Sequence, residues 1–286
     1  MASASETCPQ SQELISISQA ELTNLTVCGC CFCILLERRA DLMNLVLLRD
    51  RDWLSTDLVL LQDHRADHLR HLLNVQLGDR VRVGQIGGLR GEGVVVEITA
   101  TAVQLKVDLH QLPPPRHRYD VVLALPRPKM LRRILRTVAE FGVAHVHLIH
   151  TARVEKSYWQ SPLLRPGKIE EALLAGMERS SDTVAPLIHV HKRFRPFVED
   201  ELVPLCAGRP CWIAHMGGAR SLAEVPPVPA VVMIGPEGGF VPFEVALAEQ
   251  VIAQRVHLGD RVLSVDTALP TALAQALAPS ACLGSG

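Results

Sequence analysis

The sequence predicts an α/β fold, a mostly parallel sheet covered on both faces, preceded by a smaller strand-rich domain. Three observations carry this expectation. From Val121 onward, short apolar runs alternate with helical patterns, punctuated by glycine and proline. Before Leu112 the runs are short and mostly strand-like, with glycines at 78, 84, 87, 88, 91 and 93 supplying turns. Aromatic residues make up only 4% of the 286 residues, while Val, Leu and Ala abound, a composition that suits buried parallel strands.

Residues 1–42 show no sustained periodicity and are expected to form an unstructured extension. Met43 offers a second plausible start. Glu6, Glu13 and Glu21 fall where a signal or transit peptide would be basic or neutral, and the apolar run 27–36 is too short to span a membrane. A cytoplasmic location without membrane contact follows. Five of the eight cysteines lie in this segment. Cys28-Gly-Cys-Cys-Phe-Cys33 has no second Cys/His pair at zinc-finger spacing, so no metal is expected.

The first domain, 43–113, reads as a small β-barrel. Its strand candidates are 44–48, Leu58–Leu61, 81–83, 93–98 and 103–109, the last with clean apolar/polar alternation. A short helix is expected over 67–74. His64, His68 and His71 share a helical face, but no carboxylate or cysteine completes a metal set, and they read as surface. Pro113-Pro-Pro115 is a stiff break that marks the domain boundary.

The second domain, 117–286, has strands expected at 121–125, His145–Ile149, 211–215 and 231–234. Helices are expected at 129–141, 168–179, 197–206, 243–252 and 271–278. Three glycine-bearing strand ends cluster late in the chain: Met216-Gly-Gly-Ala219, Ile234-Gly-Pro-Glu-Gly-Gly-Phe240 and the stretch from Leu258-Gly259 to Ala268. Ligands of open α/β folds bind where strands end, and glycine lets the backbone approach closely. None of the three is a Walker loop or a dinucleotide fingerprint.

Ile234-Gly-Pro-Glu-Gly-Gly-Phe240 followed by Glu244 and Leu258-Gly-x-Arg-Val-Leu263 resembles the ribosomal RNA small subunit methyltransferase E family, of the trefoil-knotted SPOUT superfamily. Arg153-Val-Glu-Lys-Ser-Tyr-Trp-Gln-Ser-Pro162, Leu125-Pro-Arg-Pro-Lys-Met130 and His68-Leu-Arg-His-Leu-Leu73 extend the likeness over 43–278. The resemblance implies a trefoil-knotted SPOUT methyltransferase domain behind a PUA-like barrel. It also implies a homodimer that methylates N3 of a uridine in 16S rRNA of the small ribosomal subunit. S-adenosyl-L-methionine would sit bent among the three loops, at His215, Gly217, Ile234, Gly235, Glu237, Gly238, Leu258, Gly259 and Leu263.

The sequence departs from the family pattern where Ser264 replaces an arginine, Asp266 a glutamate and Met216 a common proline. Arg261, Ser264 and Asp266 are the candidate catalytic positions. Losing an arginine removes a fixed cation that would hold a developing uracil anion, so slow turnover is expected, with a gain from Ser264→Arg. Another RNA target, or a ribosome-binding homologue weakened in catalysis, are the rival readings.

The formal net charge is −1, so RNA affinity must come from local surfaces. Lys129, Arg132, Arg133 and Arg136 fall on one helical face with Arg127 just ahead, opposite apolar Leu131, Ile134, Leu135 and Val138, and this face is expected to contact RNA. Lys156 is a candidate for phosphate and Tyr158 for stacking on a base, with Trp159 either stacking likewise or anchoring its loop.

Overall fold

A computed structural model of the chain describes residues 44–277. The expected extension over 1–42, its cysteines, Cys282 and the end of the last helix candidate lie outside the described residues.

The first part holds β1 (Val46–Leu48), β2 (Leu58–Leu61), β3 (Arg80–Gln85), β4 (Arg90–Ile98) and β5 (Val103–Gln111), in the order β1-β3-β4-β5-β2. β1 runs parallel to β3, and the remaining pairs are antiparallel. Both edge strands contribute to one core, with Val46 and Leu48 beside Val59, Leu61, Val83 and Leu105, so the sheet wraps round its own interior. Gly78 turns the chain into β3 with φ +87°, a conformation costly for any other residue. Between β2 and β3 lies α1 (His64–Asp67), continued by a π-helical turn over His68–Leu72.

One buried ion pair secures this unit. The Arg65 guanidinium donates to both Asp52 carboxylate oxygens at 2.6 and 2.8 Å, to Asp63 and to the Leu47 carbonyl. Burial raises the Asp63 pKa, but the Arg65 contacts outweigh it and hold that carboxyl down at about 2.

The second part is a seven-stranded, wholly parallel sheet in the order β10-β12-β9-β11-β6-β7-β8. Its strands are β6 (Tyr119–Ala124), β7 (His145–Ile149), β8 (Leu187–His191), β9 (Cys211–Ala214), β10 (Arg220–Ser221), β11 (Ala230–Ile234) and β12 (Gln254–His257). β6 and β11 are buried along their whole length, as strands covered on both faces must be. The helices are α2 (Pro128–Glu140), α3 (Pro166–Ser180), α4 (Phe194–Pro196), α5 (Leu202–Cys206), α6 (Pro242–Val251) and α7 (Val265–Gln275). α2 buries Leu131, Ile134, Leu135 and Val138, the face its apolar spacing predicts.

Several elements differ from expectation. β8 and β12 carry His-Val-His and Gln-Arg-Val-His, too polar to read as sheet, yet backbone pairing with apolar neighbours holds them. The helix expected over 197–206 is broken into α4, a π-helical turn Phe197–Glu201 and α5. The last helix begins at Val265, six residues earlier than expected. Pro270 argues against helix there, but burial of Val265, Ala268 and Leu269 offsets the one hydrogen bond it removes.

β1 joins the two parts. Leu45, just ahead of it, and Leu47 enter the core of the parallel sheet, while Val46 and Leu48 enter that of the smaller one, as the two-residue period of extended chain dictates. The Thr183 hydroxyl donates to the Gly88 carbonyl at 2.5 Å, and the Gly87 amide donates to the Thr183 carbonyl at 2.7 Å. A methyl group on Gly84 would meet Thr183 at 2.5 Å, so this contact needs glycine.

Candidate active site

β12, β9 and β11 are neighbours in a parallel sheet, so their carboxyl ends emerge side by side, and these are the strands that lead into the three glycine loops. The loops frame a cleft of about 300 Å³. In the first, the Gly217 amide donates to His215 Nδ1 at 3.0 Å, and a methyl group on Gly218 would collide with the Val256 backbone at 2.5 Å. In the second, Gly239 closes a turn onto the Pro236 carbonyl with φ +73°, so the left-handed residue is Gly239 and not Gly238. Gly238 matters for space: a methyl group there would lie 2.9 Å from Arg153 Cδ. In the third, Gly259 adopts φ +130°.

Burial, with the nearby Arg255 charge adding to it, holds the His215 imidazole below its ordinary pKa. The ring is therefore neutral at pH 7, and Nδ1 acts as acceptor toward Gly217.

The structure gathers most of the residues expected at a cofactor. His215, Ile234, Gly235, Glu237, Gly238, Leu258 and Leu263 line the cleft, as does Arg261. Gly217 and Gly259 shape its loops without lining it. Ser264 and Asp266 also fall outside the lining. Ser264 is the first residue before α7; its hydroxyl donates to Asp266 Oδ1 at 2.6 Å and meets Thr267 Oγ1 at 3.1 Å. Sequence reasoning missed the lining residues Phe240, Val265, Ala268 and Arg153. Arg153 comes from the loop after β7 and reaches the cleft through tertiary packing, with its guanidinium donating to the Gly238 carbonyl. Glu244 on α6 holds that loop, accepting from the Ala152 amide at 2.6 Å and the Val241 amide at 2.9 Å.

On α2, Arg132 pairs with Glu171 at 3.0 Å, Arg133 with Asp266 at 3.6 Å, and Arg127 with Glu237 at 3.8 Å. The basic face is thus partly neutralised by acids from other elements. Lys129, Arg136, Arg132 and Arg133 still border one open groove, with Arg179 of α3 on its far side. The Tyr158 hydroxyl donates to Glu155 at 3.1 Å, and Lys156 is exposed. Trp159 is half-buried and donates to His150 Nδ1 at 2.9 Å, an anchor for its loop.

Fold and cleft together define the class, an α/β protein with a cleft at the carboxyl ends of adjacent parallel strands; solved structures of named methyltransferases share this fold. A methyltransferase from Legionella pneumophila, solved with its cofactor SAM, superposes with TM-score 0.65 at 18% identity, covering 81% of this chain and 96% of that one. A ribosomal RNA small subunit methyltransferase E from Neisseria gonorrhoeae, bound to S-adenosyl methionine, gives TM-score 0.65 at 20% identity, covering 81% and 95%. The chain belongs to the RNA methyltransferase domain family, whose model matches residues 113–277. It is also similar to the ribosomal RNA small subunit methyltransferase E of Treponema pallidum, 29% identical over 249 residues, or 82% of this chain and 91% of the relative. The resemblance seen in the sequence is borne out.

Proposed function

We propose that this protein methylates N3 of a uridine in 16S rRNA of the small ribosomal subunit, using S-adenosyl-L-methionine. The observation that carries the reading is the cleft itself, built from three glycine loops at adjacent strand ends inside the family-matched domain. Its volume is at the lower end for small-ligand sites, about 300 to 1,000 Å³.

The residues present suit the cofactor. Ile234, Phe240, Leu258, Leu263 and Ala268 offer apolar walls for an adenine ring, and the loop backbones offer hydrogen bonds at its edge. Space is reserved by glycine: a methyl group on Gly235 would stand 3.0 Å from the Phe240 amide. Bound there, the cofactor supplies an electrophilic methyl group on a sulfonium sulfur. The protein's share is to hold the two reactants in line, which accounts for most of the rate in a direct transfer. With Nδ1 committed to Gly217, the neutral His215 keeps its other ring N–H for the ligand.

Strand order supports the trefoil knot. β11 enters between β6 and β9, and β12 between β9 and β10, so late segments pass between strands laid down earlier. The five-stranded sheet round its own core suits a PUA-like RNA-binding barrel, with the division of the chain at Pro113–Pro115. Met216 and Val262, 50% and 81% exposed on the cleft rim, suit burial against a second copy in a homodimer. Arg127, Lys129, Arg132, Arg133, Arg136, Lys156 and Tyr158 would meet RNA. A cytoplasmic location belongs to the same reading; among the described residues no helix is long and apolar enough to cross a membrane and no metal cluster is present.

The test is methyl transfer from labelled S-adenosylmethionine to small subunits that lack the modification, followed by nucleoside mass spectrometry. 3-Methyluridine is expected. Methylation of a different nucleoside or a different RNA would replace the target, and cofactor binding without any product would favour a ribosome-binding role.

A further inference from the structure

The geometry points to Arg153 as the cation that stabilises the uracil anion during methyl transfer, in place of the arginine missing at position 264. This rests on the function proposed above. Uracil N3 carries a proton, so methylation there passes through a base bearing negative charge. The N3–H bond breaks and its proton goes to solvent hydroxide. The pair left on N3 forms the new bond to the methyl carbon, while the pair of the broken carbon–sulfur bond stays with sulfur. Negative charge gathers on the uracil ring as the proton departs, and a cation fixed beside it lowers the barrier.

Four charged or titratable side chains line the cleft: Arg153, His215, Glu237 and Arg261. His215 is held neutral, and Glu237 has the wrong sign. Of the two arginines, Arg261 lies in the exposed third loop, where no hydrogen bond or ion pair fixes its side chain among the described residues. Arg153 is fixed at three points. Its guanidinium donates to the Gly238 carbonyl, its stem lies over the Gly238 Cα, and buried Glu244 grips the backbone amide beside it. Among the described residues no carboxylate stands within ion-pair distance of Arg153, whereas Arg127, Arg132 and Arg133 are all paired. A preorganised and unneutralised cation at the cleft rim is what a developing anion requires. A purely structural arginine would be expected to have its charge matched.

The experiment compares the wild type with Arg153→Ala and Arg153→Lys, measuring methylation of small subunits from pH 6.5 to 9.5 and S-adenosylmethionine affinity by calorimetry. Arg153→Ala should slow methylation by about ten- to a hundredfold at neutral pH, the scale of a charge-assisted contact. Its rate should recover as pH rises and uracil deprotonates without help, and added guanidinium should restore part of it. Arg153→Lys should fall between the two, and cofactor affinity should stay within about twofold. A rate unchanged in Arg153→Ala would overturn the assignment. So would a loss with no pH or guanidinium response, or a loss matched by weaker cofactor binding, since either would make Arg153 a prop for the second loop. A wild type that methylates no small subunit at all would overturn the proposed function, and this inference with it.

Discussion

Arg133 on α2 stands 3.6 Å from Asp266 in the first turn of α7, tying the basic helix to the segment that leaves the third glycine loop. The same carboxylate accepts the Ser264 hydroxyl at 2.6 Å. An acid at this point also suits the positive end of α7. An arginine placed at 264 would therefore meet Asp266 before it met any substrate. Ser264→Arg is expected to change the methylation rate by less than about fivefold, because an exposed pair is worth only about 0–1 kcal/mol. The gain foreseen from sequence is no longer expected, and a rise of tenfold or more in single-turnover assays would restore residue 264 to the reaction.

Gly238 should be intolerant of bulk for reasons of space and not of backbone angle. Its missing side chain is the room taken by Arg153 and the cleft. Gly238→Val is expected to weaken S-adenosylmethionine binding at least tenfold in a folded protein. Calorimetry showing unchanged affinity would move the cofactor elsewhere.

Two cations on the α2 groove, Lys129 and Arg136, form no direct ion pair among the described residues, although Arg136 acts on Glu171 at longer range, and these should matter most for RNA. Lys129→Glu with Arg136→Glu is expected to lower RNA affinity and flatten its dependence on log salt by roughly 0.7–0.9 for each phosphate left without its cation. Reversing the already paired Arg132 should cost less. Filter binding at several salt concentrations reads both, and equal slopes for all variants would remove this face from the interface.

Arg65 and Asp52 are both buried, at 7% and 5% exposure, so removing one strands the other. Asp52→Ala should destabilise the fold by about 3–5 kcal/mol in urea unfolding. A loss under about 1 kcal/mol would mean that Asp63 alone satisfies the guanidinium.

Acid should act through the histidines of β7 and β8. His147 stacks on His189 at 4.4 Å and on His191 at 5.3 Å, with His145, Arg209, Asp120 and Glu201 around them. Burial, reinforced by the neighbouring histidines and Arg209, holds the His147 pKa down at about 3. The unfolded chain, with its histidine near 6.5, binds the proton first. The stability this group contributes is complete above pH 6.5 and is lost progressively as pH falls toward 3, at no more than about 1.4 kcal/mol per pH unit. Melting temperature should thus drop from pH 7 to pH 5, and less so in His147→Gln. An identical drop in both would assign the acid sensitivity to other groups.

Local sequence determined the elements whose side-chain spacing matches their burial. The face of α2 is set by apolar residues at helical intervals, β6 and β11 by the apolar runs 121–124 and Ala230–Ile234, and the loop positions by glycines that permit close approach. The glycines marked where a cleft would form, and the family resemblance named most of its residues. Tertiary structure alone decided the rest. β8 and β12 became strands because neighbouring strands satisfied their backbones, and backbone pairing leaves no period in a polar sequence. Arg153 reached the cleft because Glu244, 92 residues beyond Ala152, pins its loop. Residue 264 left the cleft because Asp266, two residues on, captured its hydroxyl at the start of a helix. Side-chain periodicity reports burial within one element; which elements then meet depends on strand order and long-range hydrogen bonds, and these are properties of the folded chain.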